Sequence, residues 1–425
     1  MNCLFSCDQI SKNESIAIID VNIIPMDSER VLKSQTLIIQ GDKIIKIGSS
    51  STVEIPKNAQ IIDGKNKFLI PGLMDMHVHF EEPDLMVYLS NGVTTIRNLN
   101  GDKTHLKLRE KVNLGKLEGP RIYTSGPLIC GTKTKWEIKV VPKSQEKVRE
   151  IVKEQKELGY DFIKVYDGLS SEIYQALMEE AKEQNIKVVG HIPNAVGLKG
   201  VLNAGQTSIE HVEKIVKDYF GVEYSPQKIT EVAEMVKSSR SFVCPTLALQ
   251  EVFYLNSQGE FKQKLKNSEM AYVDSEIMSW WKSQTSPQNN SPSLNKEYED
   301  FYNFQLKLTK SLFDSNIPLL AGTDAPNLGM VPGFSIHEEL RNMVMAGLSP
   351  YQAIKTATIN AATFLGSENE NGTIKEGMIA DLVLLKKNPL LNISNTKSSV
   401  GTMVKGKWYT KQRLYSNINN KFKNE

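Results

Sequence analysis

The sequence predicts an α/β fold, a (β/α)8 TIM-like barrel carrying a small discontinuous β-sandwich made from both ends of the chain. Three observations predict it. Between residues 69 and 366, short apolar runs alternate with amphipathic stretches of helical period, the pattern of βα units around a parallel sheet. Eight such runs can be read, the number a barrel of this kind requires. The segments 16–68 and 367–425 read as strands, yet neither has enough of them to bury a core alone, so they are expected to pair. A chain of 425 residues has room for both units.

Taken in order, residues 1–15 carry no periodicity and read as a disordered start. Ile16 to Ile19, Thr36 to Gln40 and Lys43 to Ile47 read as strands, and Gly41-Asp42 between the last two suits a tight hairpin. The eight barrel strands are expected at Phe68 to Pro71, Thr94 to Arg97, Arg121 to Thr124, Phe162 to Tyr166, Lys187 to Gly190, Thr207 to Ile209, Phe242 to Pro245 and Pro318 to Ala321. Before the fourth of them, Ser144 is placed to cap a helix with Val148, Ile151, Val152 and Leu158 on one face, and Gly159 stops it. Residues 255–300 interrupt the rhythm with a polar stretch that contains Trp280-Trp281. Such an insertion reads as a mobile lid over the barrel, or as an excursion that its tryptophans pack onto the barrel. The last helix is framed by Ser349, Pro350, Gln352 and Gly366. Beyond it, Ala380 to Leu385, Met403-Val404 and Trp408-Tyr409 supply the remaining strands.

Composition narrows the function. Lys and Arg total 51 against 49 Asp and Glu, so there is no basic field for nucleic acid or an anionic membrane. No apolar run is long enough to span a bilayer. A small-molecule substrate is the expected partner, and a homo-oligomer is compatible with these patterns without being encoded in them. The four cysteines form no Cys-x-x-Cys pair, so any metal must be held by His, carboxylate or something less usual. Leu4-Phe5-Ser6-Cys7 resembles the end of a lipoprotein signal but lacks the basic start and apolar stretch, so a cytoplasmic location is expected. A true start upstream of Cys7 would make the protein exported or lipid-anchored.

The chemistry lies in the histidines, of which there are six. His77 and His79 stand two apart, so an extended chain points both imidazoles to one side, as a shared metal ion requires. His191 and His211 directly follow the fifth and sixth strands, and Asp324 follows the eighth. A barrel gathers the carboxyl ends of its strands around one mouth, so these residues are expected to meet there. Packing alone does not place four histidines and an aspartate at strand ends. His105 reads as a surface or capping residue, and His337, after the eighth strand, as a residue within reach of the substrate.

The segments FLIPGLMDMHVH, NGVTTIRN, GPRIYTSG, DFIKVYDG, VVGHIP, AGQTSIEH, GTDAP and GTIKEGMIADLVLLKKNPL resemble the amidohydrolase superfamily, in its imidazolonepropionase-like and prolidase-like branch. They span nearly all of the chain outside residues 1–15 and 255–300. The resemblance implies that His77, His79 and Asp324 hold one divalent ion and His191 with His211 a second. It further implies that Lys164 bridges the two as a carbamate, because a cationic ammonium cannot be a ligand whereas its carbamate can. Zinc is expected, with manganese, iron and cobalt as the alternatives.

Mononuclear deaminases of the superfamily lack the lysine and place a Glu after the fifth-strand histidine, where this chain has Ile192-Pro193-Asn194-Ala195. The implied reaction is therefore hydrolysis of an amide-type C–N bond in an N-acyl amino acid, a dipeptide or a cyclic amide. A hydroxide shared by two metals would attack the carbonyl, and Asp324 would act as general base and then acid. The alternatives are a lactonase or esterase on the same binuclear site, and a barrel that binds metal without catalysis. Prolidase-like members carry Gly-Gly-His after the third strand. This chain has Ser125 to Trp136 there without that histidine, so Lys133 or Lys135 is expected to hold a substrate carboxylate in its place.

Overall fold

The structure is a computed structural model that describes residues 15–221, 225–285 and 291–422. Residues 1–14, including the lipoprotein-like tetrapeptide, lie outside the described residues, and so do residues 286–290 of the insertion. The amino-terminal segment forms β1 (Ser15–Ile23), β2 (Leu32–Gln40), β3 (Lys43–Ser49), β4 (Gln60–Asp63) and β5 (Phe68–Pro71). The body supplies β6 (Leu73–Val78), β7 (Val93–Asn98), β8 (Arg121–Thr124), β9 (Leu128–Ile129), β10 (Lys139–Val140), β11 (Phe162–Val165), β12 (Lys187–Gly190), β13 (Ser208–Glu210) and β14 (Phe242–Cys244). The carboxyl-terminal segment adds β15 (Leu382–Leu385), β16 (Ser399–Val404) and β17 (Lys407–Thr410).

The two ends of the chain meet in one mixed sheet of order β17-β16-β15-β5-β1-β2-β3, with β4 paired to β1. The expected hairpin is present, with Gln40 opposite Lys43 and Gly41 at φ +60°, a conformation glycine adopts without cost. Ile18, Val21, Leu37 and Ile39 from the start pack against Leu382, Leu384 and Met403 from the end. Neither segment alone has these partners.

The body is an α/β fold of TIM-barrel type, although its hydrogen bonds do not close one continuous ladder. Parallel strands form two sheets, β6-β7-β8 and β10-β9-β11-β12-β13-β14, and isolated bridges at Ser125↔Phe162, Val243↔Leu319 and Val78↔Ala325 join them. Two strand assignments differ from expectation. Phe68–Pro71 belongs to the terminal sheet, where it pairs with β1 and β15, and the first body strand is β6. The chain passes from one to the other at Gly72, where a Cβ would lie 2.0 Å from Thr94 Oγ1, so only glycine fits. The eighth run, Pro318 to Ala321, makes single bonds rather than a ladder, such as Leu320 N–H to Val243 O at 2.9 Å and Met76 N–H to Ala321 O at 2.8 Å. Pro318 has no N–H to offer.

The helices follow the sequence signals closely where those signals are local. Ser144 caps Gln145–Glu157 by accepting Lys147 N–H, and Val148, Ile151 and Val152 are buried. Leu158, expected on that face, ends the helix and is 39% exposed. Ser349 and Gln352 form the capping box, but the last helix is broken into Pro350–Thr356 and Ile359–Leu365. The break has a cause: Met74 N–H takes Ala357 O (2.8 Å) and Ala321 N–H takes Thr356 O (3.2 Å), carbonyls that a continuous helix would use itself.

The insertion is helical rather than an open polar loop, comprising Phe261–Lys264, Ser268–Tyr272, Ser275–Ser283 and the start of Pro292–Asp314. Trp281 is fully buried with Leu249, Val252, Phe261, Leu328 and Met330, while Trp280 stays 44% exposed. One tryptophan therefore packs the segment onto the body, as the excursion reading expects. Among the described residues no helix is long and apolar enough to cross a membrane.

Candidate metal centre

Five strand ends deliver the site. His77 lies within β6 and His79 just beyond it, Lys164 in β11, His191 after β12 and His211 after β13; Asp324 follows the bridged run. Asp324 Oδ1 is 3.0 Å from His79 Nε2 and 3.4 Å from His77 Nε2, and its Oδ2 is 4.0 Å from His211 Nε2. The His77 and His211 rings are 4.7 Å apart, and the His191 and His211 rings 5.0 Å. Donor atoms of His77, His211 and Asp324 all lie within 4.8 Å of one another. The six residues named from the sequence thus line one cavity of about 150 Å³.

The backbone is bent to achieve this. His211, Thr246 and Asp324 all adopt positive φ (68°, 53° and 60°), conformations that cost a non-glycine residue about 1–3 kcal/mol and persist only where neighbours enforce them. For Asp324 the neighbours are identifiable. Its N–H donates to His77 O at 2.7 Å, Thr323 is held by Asp75 through N–H (3.0 Å) and Oγ1–H (2.8 Å), and a Cβ on Gly322 would meet Cys244 Sγ at 2.4 Å.

Three acceptors, the buried Glu210 and Thr246 and the part-exposed Asp167, set the imidazole tautomers. His77 Nδ1–H donates to Glu210 Oε2 (3.0 Å) and His191 Nδ1–H to Asp167 Oδ1 (3.1 Å). Thr246 spends its own hydroxyl proton on Pro245 O (2.7 Å), so its oxygen accepts His211 Nδ1–H (2.8 Å). Each Nε2 is left as a lone pair, the form a metal needs. Burial, joined by the Lys164 charge, holds His77 down at about 4, and burial likewise keeps His191 and His211 well below the usual imidazole range. Burial alone would raise Asp324, but His77, His79 and His211 outweigh it and hold the carboxyl well below its ordinary value.

Glu210, Arg97, Asp75, Asp167 and Thr246 were not expected from the sequence. Arg97 donates to Glu210 Oε1 and Oε2 (2.8 and 2.9 Å), to Ser208 Oγ (3.2 Å) and to Met76 O, and both charged side chains are completely buried. Burial opposes the ionised carboxyl of Glu210, yet Arg97 and His77 hold it well below the usual range. A signal did exist: Arg97 and Glu210 are charges inside strands that are otherwise buried, where a charge needs a partner.

The three expected substrate residues do not join the cluster. His337 is buried with Nδ1 bonded to Thr396 Oγ1 (3.0 Å), facing the carboxyl-terminal segment instead of the cavity, because its helix turns that face inward. Lys133 and Lys135 are exposed on the loop after β9 and do not line the cavity. Trp136 from the same loop lines it instead. His105 completes the cap of its helix, donating from Nδ1 to Asp102 Oδ1 (2.9 Å) or accepting Asp102 N–H there (3.1 Å).

Two features fit the residues to a metal. Lys164 Nζ is buried without a hydrogen-bond partner, and so is His79 Nδ1. Burial brings the Lys164 ammonium down to about 8 against the opposing pull of Glu210 and Asp324. An ammonium so placed is out of keeping with the imidazole lone pairs around it unless it is chemically altered or joined by further groups.

Imidazole and carboxylate gathered at the carboxyl ends of parallel strands equip a hydrolase. The chain belongs to the Amidohydrolase family, whose model matches residues 68–409, and it is a hydrolase acting on carbon–nitrogen bonds. It is 25% identical to the ochratoxinase of Aspergillus niger, with 87% of this chain and 81% of that one aligned. It is 24% identical to a 5'-deoxyadenosine deaminase of Methanococcus maripaludis, over 84% of each. Among solved structures, bottromycin amidohydrolase superposes with a TM-score of 0.77 (21% identity; 96% of this chain, 90% of that one). A Xaa-Pro dipeptidase with bound methionine gives 0.72 (21% identity; 93% and 100%). At these identities the likeness is one of fold.

Proposed function

We propose that this protein is a prolidase-like amidohydrolase that cleaves the C–N bond of a small amide at a binuclear centre. His77, His79 and Asp324 would hold one divalent ion, His191 and His211 the other, and Lys164 both, as its carbamate. The observation that carries this is Lys164, a buried side chain whose Nζ has no partner although it stands among four histidines and a carboxylate. Carbamate formation takes two protons from the ammonium to solvent, one to free the lone pair that bonds to the carbon of carbon dioxide and one as that N–C bond forms. It converts a cation that repels metals into a carboxylate with two acceptor oxygens. Divalent ions bound there supply a Lewis acid for the carbonyl and lower the pKa of bound water, zinc being the first candidate.

The chain's own groups do the rest. Asp324, held ionised, takes the proton of the attacking water at Oδ and returns it to the leaving nitrogen. Glu210, Asp167 and Thr246 fix the imidazoles through their Nδ1–H groups, so that little reorganisation is needed on substrate binding. Trp136, Leu249 and Phe253 give the cavity an apolar wall beside the reacting groups.

Protein grown in metal-supplemented medium should carry close to two divalent ions per chain by elemental analysis. His77→Ala and His191→Ala should each lower this and abolish turnover. Lys164→Ala should lose most activity and regain part of it with a short carboxylate such as formate in the assay. Metal-free protein, or a Lys164→Ala enzyme with two ions and normal turnover, would overturn the binuclear reading. Preference for lactones over amides in a substrate panel would overturn the amide assignment.

A further inference from the structure

The loop between β9 and β10 leaves the sheet and returns to it, since Lys139 pairs with Leu128 and Val140 with Ile129. Its base is anchored: Gly131 N–H donates to Asp167 O (2.9 Å), and a Cβ on Gly131 would lie 2.2 Å from Gly168 O. On the loop stands Trp136, a large aromatic left 38% exposed at the mouth of the cavity. The indole lies against His79, ring centres 5.3 Å apart at 29°. Tyr166 lies against His191 in the same manner, at 4.0 Å and 34°. Trp136 Nε1–H donates to Tyr166 Oη at 3.1 Å, which ties the two rings together. Two aromatic faces therefore flank the cluster, one on an imidazole of each proposed metal.

The charged side chains that line the rest of the cavity, Lys214 and Glu213, each have an ion-pair partner outside its lining. Lys214 is paired with Asp167 at 3.0 Å, and Glu213 with Lys217. Asn327 Nδ2 is committed to Asp324 Oδ2 (3.0 Å) and its Oδ1 to Leu328 N–H. Beside the reacting atoms the cavity offers a substrate the Gln250 amide, the Tyr166 hydroxyl and, most extensively, apolar surface from Trp136, Leu128, Leu249 and Phe253. Planar groups match such walls better than saturated ones of equal size, because the ring faces can stack.

We infer that Trp136 is the specificity-determining residue of this site, selecting amides that carry an aromatic ring directly on the scissile carboxamide. In the reaction the C–N bond breaks, the hydroxyl of water joins the carbonyl carbon and its proton goes to the leaving nitrogen. This inference rests on the amide-hydrolase reading above and names its substrate class.

The test compares each aromatic substrate with its saturated twin: a benzamide with the matching cyclohexanecarboxamide, and an anilide with the matching cyclohexylamide. Every kcat/KM is divided by the alkaline hydrolysis rate of the same amide, because aniline is intrinsically the better leaving group. Wild type should favour the aromatic member of at least one pair by roughly tenfold in kcat/KM. Trp136→Phe should keep the preference, while Trp136→Leu should lose it through the aromatic substrate alone. The exposed position of Trp136 makes both variants tolerable to the fold. Calorimetric binding of benzoate and cyclohexanecarboxylate to the metal-loaded protein gives a second readout that needs no turnover. Wild type should bind benzoate the more tightly, and Trp136→Leu should bind the two alike. Equal kcat/KM within both pairs, or an aromatic preference that survives in Trp136→Leu, would overturn the inference and leave the amide-hydrolase reading intact. If no amide is cleaved, that reading fails by itself, and the carboxylate pair still decides the role of Trp136.

Discussion

Replacing Glu210 by Gln separates the folding role of the Arg97–Glu210 pair from its role at the metal centre. Glu210 accepts from His77 Nδ1, from Arg97 Nη2 twice and from Ser208 Oγ, the last at 2.6 Å, with no exposure to solvent. Glutamine turns one of these acceptors into a donor and leaves the buried Arg97 guanidinium without a counter-charge. An uncompensated buried charge costs about 3–5 kcal/mol. With an unfolding entropy of ~2 cal/mol/K per residue, a chain of this size converts each kcal/mol into about 1 °C, so Tm should fall by about 3–5 °C. Calorimetry on the metal-free protein measures this. Losing the acceptor that orients His77 should also weaken divalent-metal affinity by about 10–100-fold, read by competition with a chromogenic chelator. Adding Arg97→Met removes the stranded charge, so the double variant should recover most of the stability and none of the metal affinity. If Glu210→Gln melts like wild type, or if the double variant binds metal normally, the pair is not an orienting device.

Two further outcomes are expected. Glu339 accepts Ala248 N–H at 2.7 Å in full burial, and that burial pushes it up from 4.5 to about 8. The folded state thus keeps a proton that the unfolded chain releases, and stability falls as pH rises from 4.5 to about 8, by up to about 1.4 kcal/mol per pH unit. Glu339→Gln keeps an acceptor oxygen and removes that slope, so in urea unfolding its advantage over wild type should grow from pH 5 to pH 8; a pH-independent difference would refute the assignment. Lys133→Ala with Lys135→Ala, both exposed and outside the cavity, should leave KM for an anionic amide within about twofold. A several-fold rise would return these lysines to the site.

Lys164 came from the family resemblance, whereas the fold class and the other five residues at the centre of the proposed site were legible in the sequence by itself. Both are local signals. An apolar run that ends in a histidine or aspartate marks a strand and its carboxyl end, and the barrel-type fold brings such ends together. Local signals also set the Ser144 and Ser349 caps and the Gly41 hairpin. Only the tertiary structure decided what surrounds the six. Arg97 and Glu210 stand 113 positions apart, and Asp75 with Thr323 stands 248 apart, so no periodicity links them. The tertiary structure moved Phe68–Pro71 into the terminal sheet, where β15 from the far end of the chain supplied its partner. It also took His337 away from the cavity and put Trp136 there in place of Lys133 and Lys135. Sequence spacing tells which side of its own strand or helix a residue faces, whereas what it meets there depends on which distant segment has the complementary hydrogen bond or surface, and that is settled only when the whole chain packs.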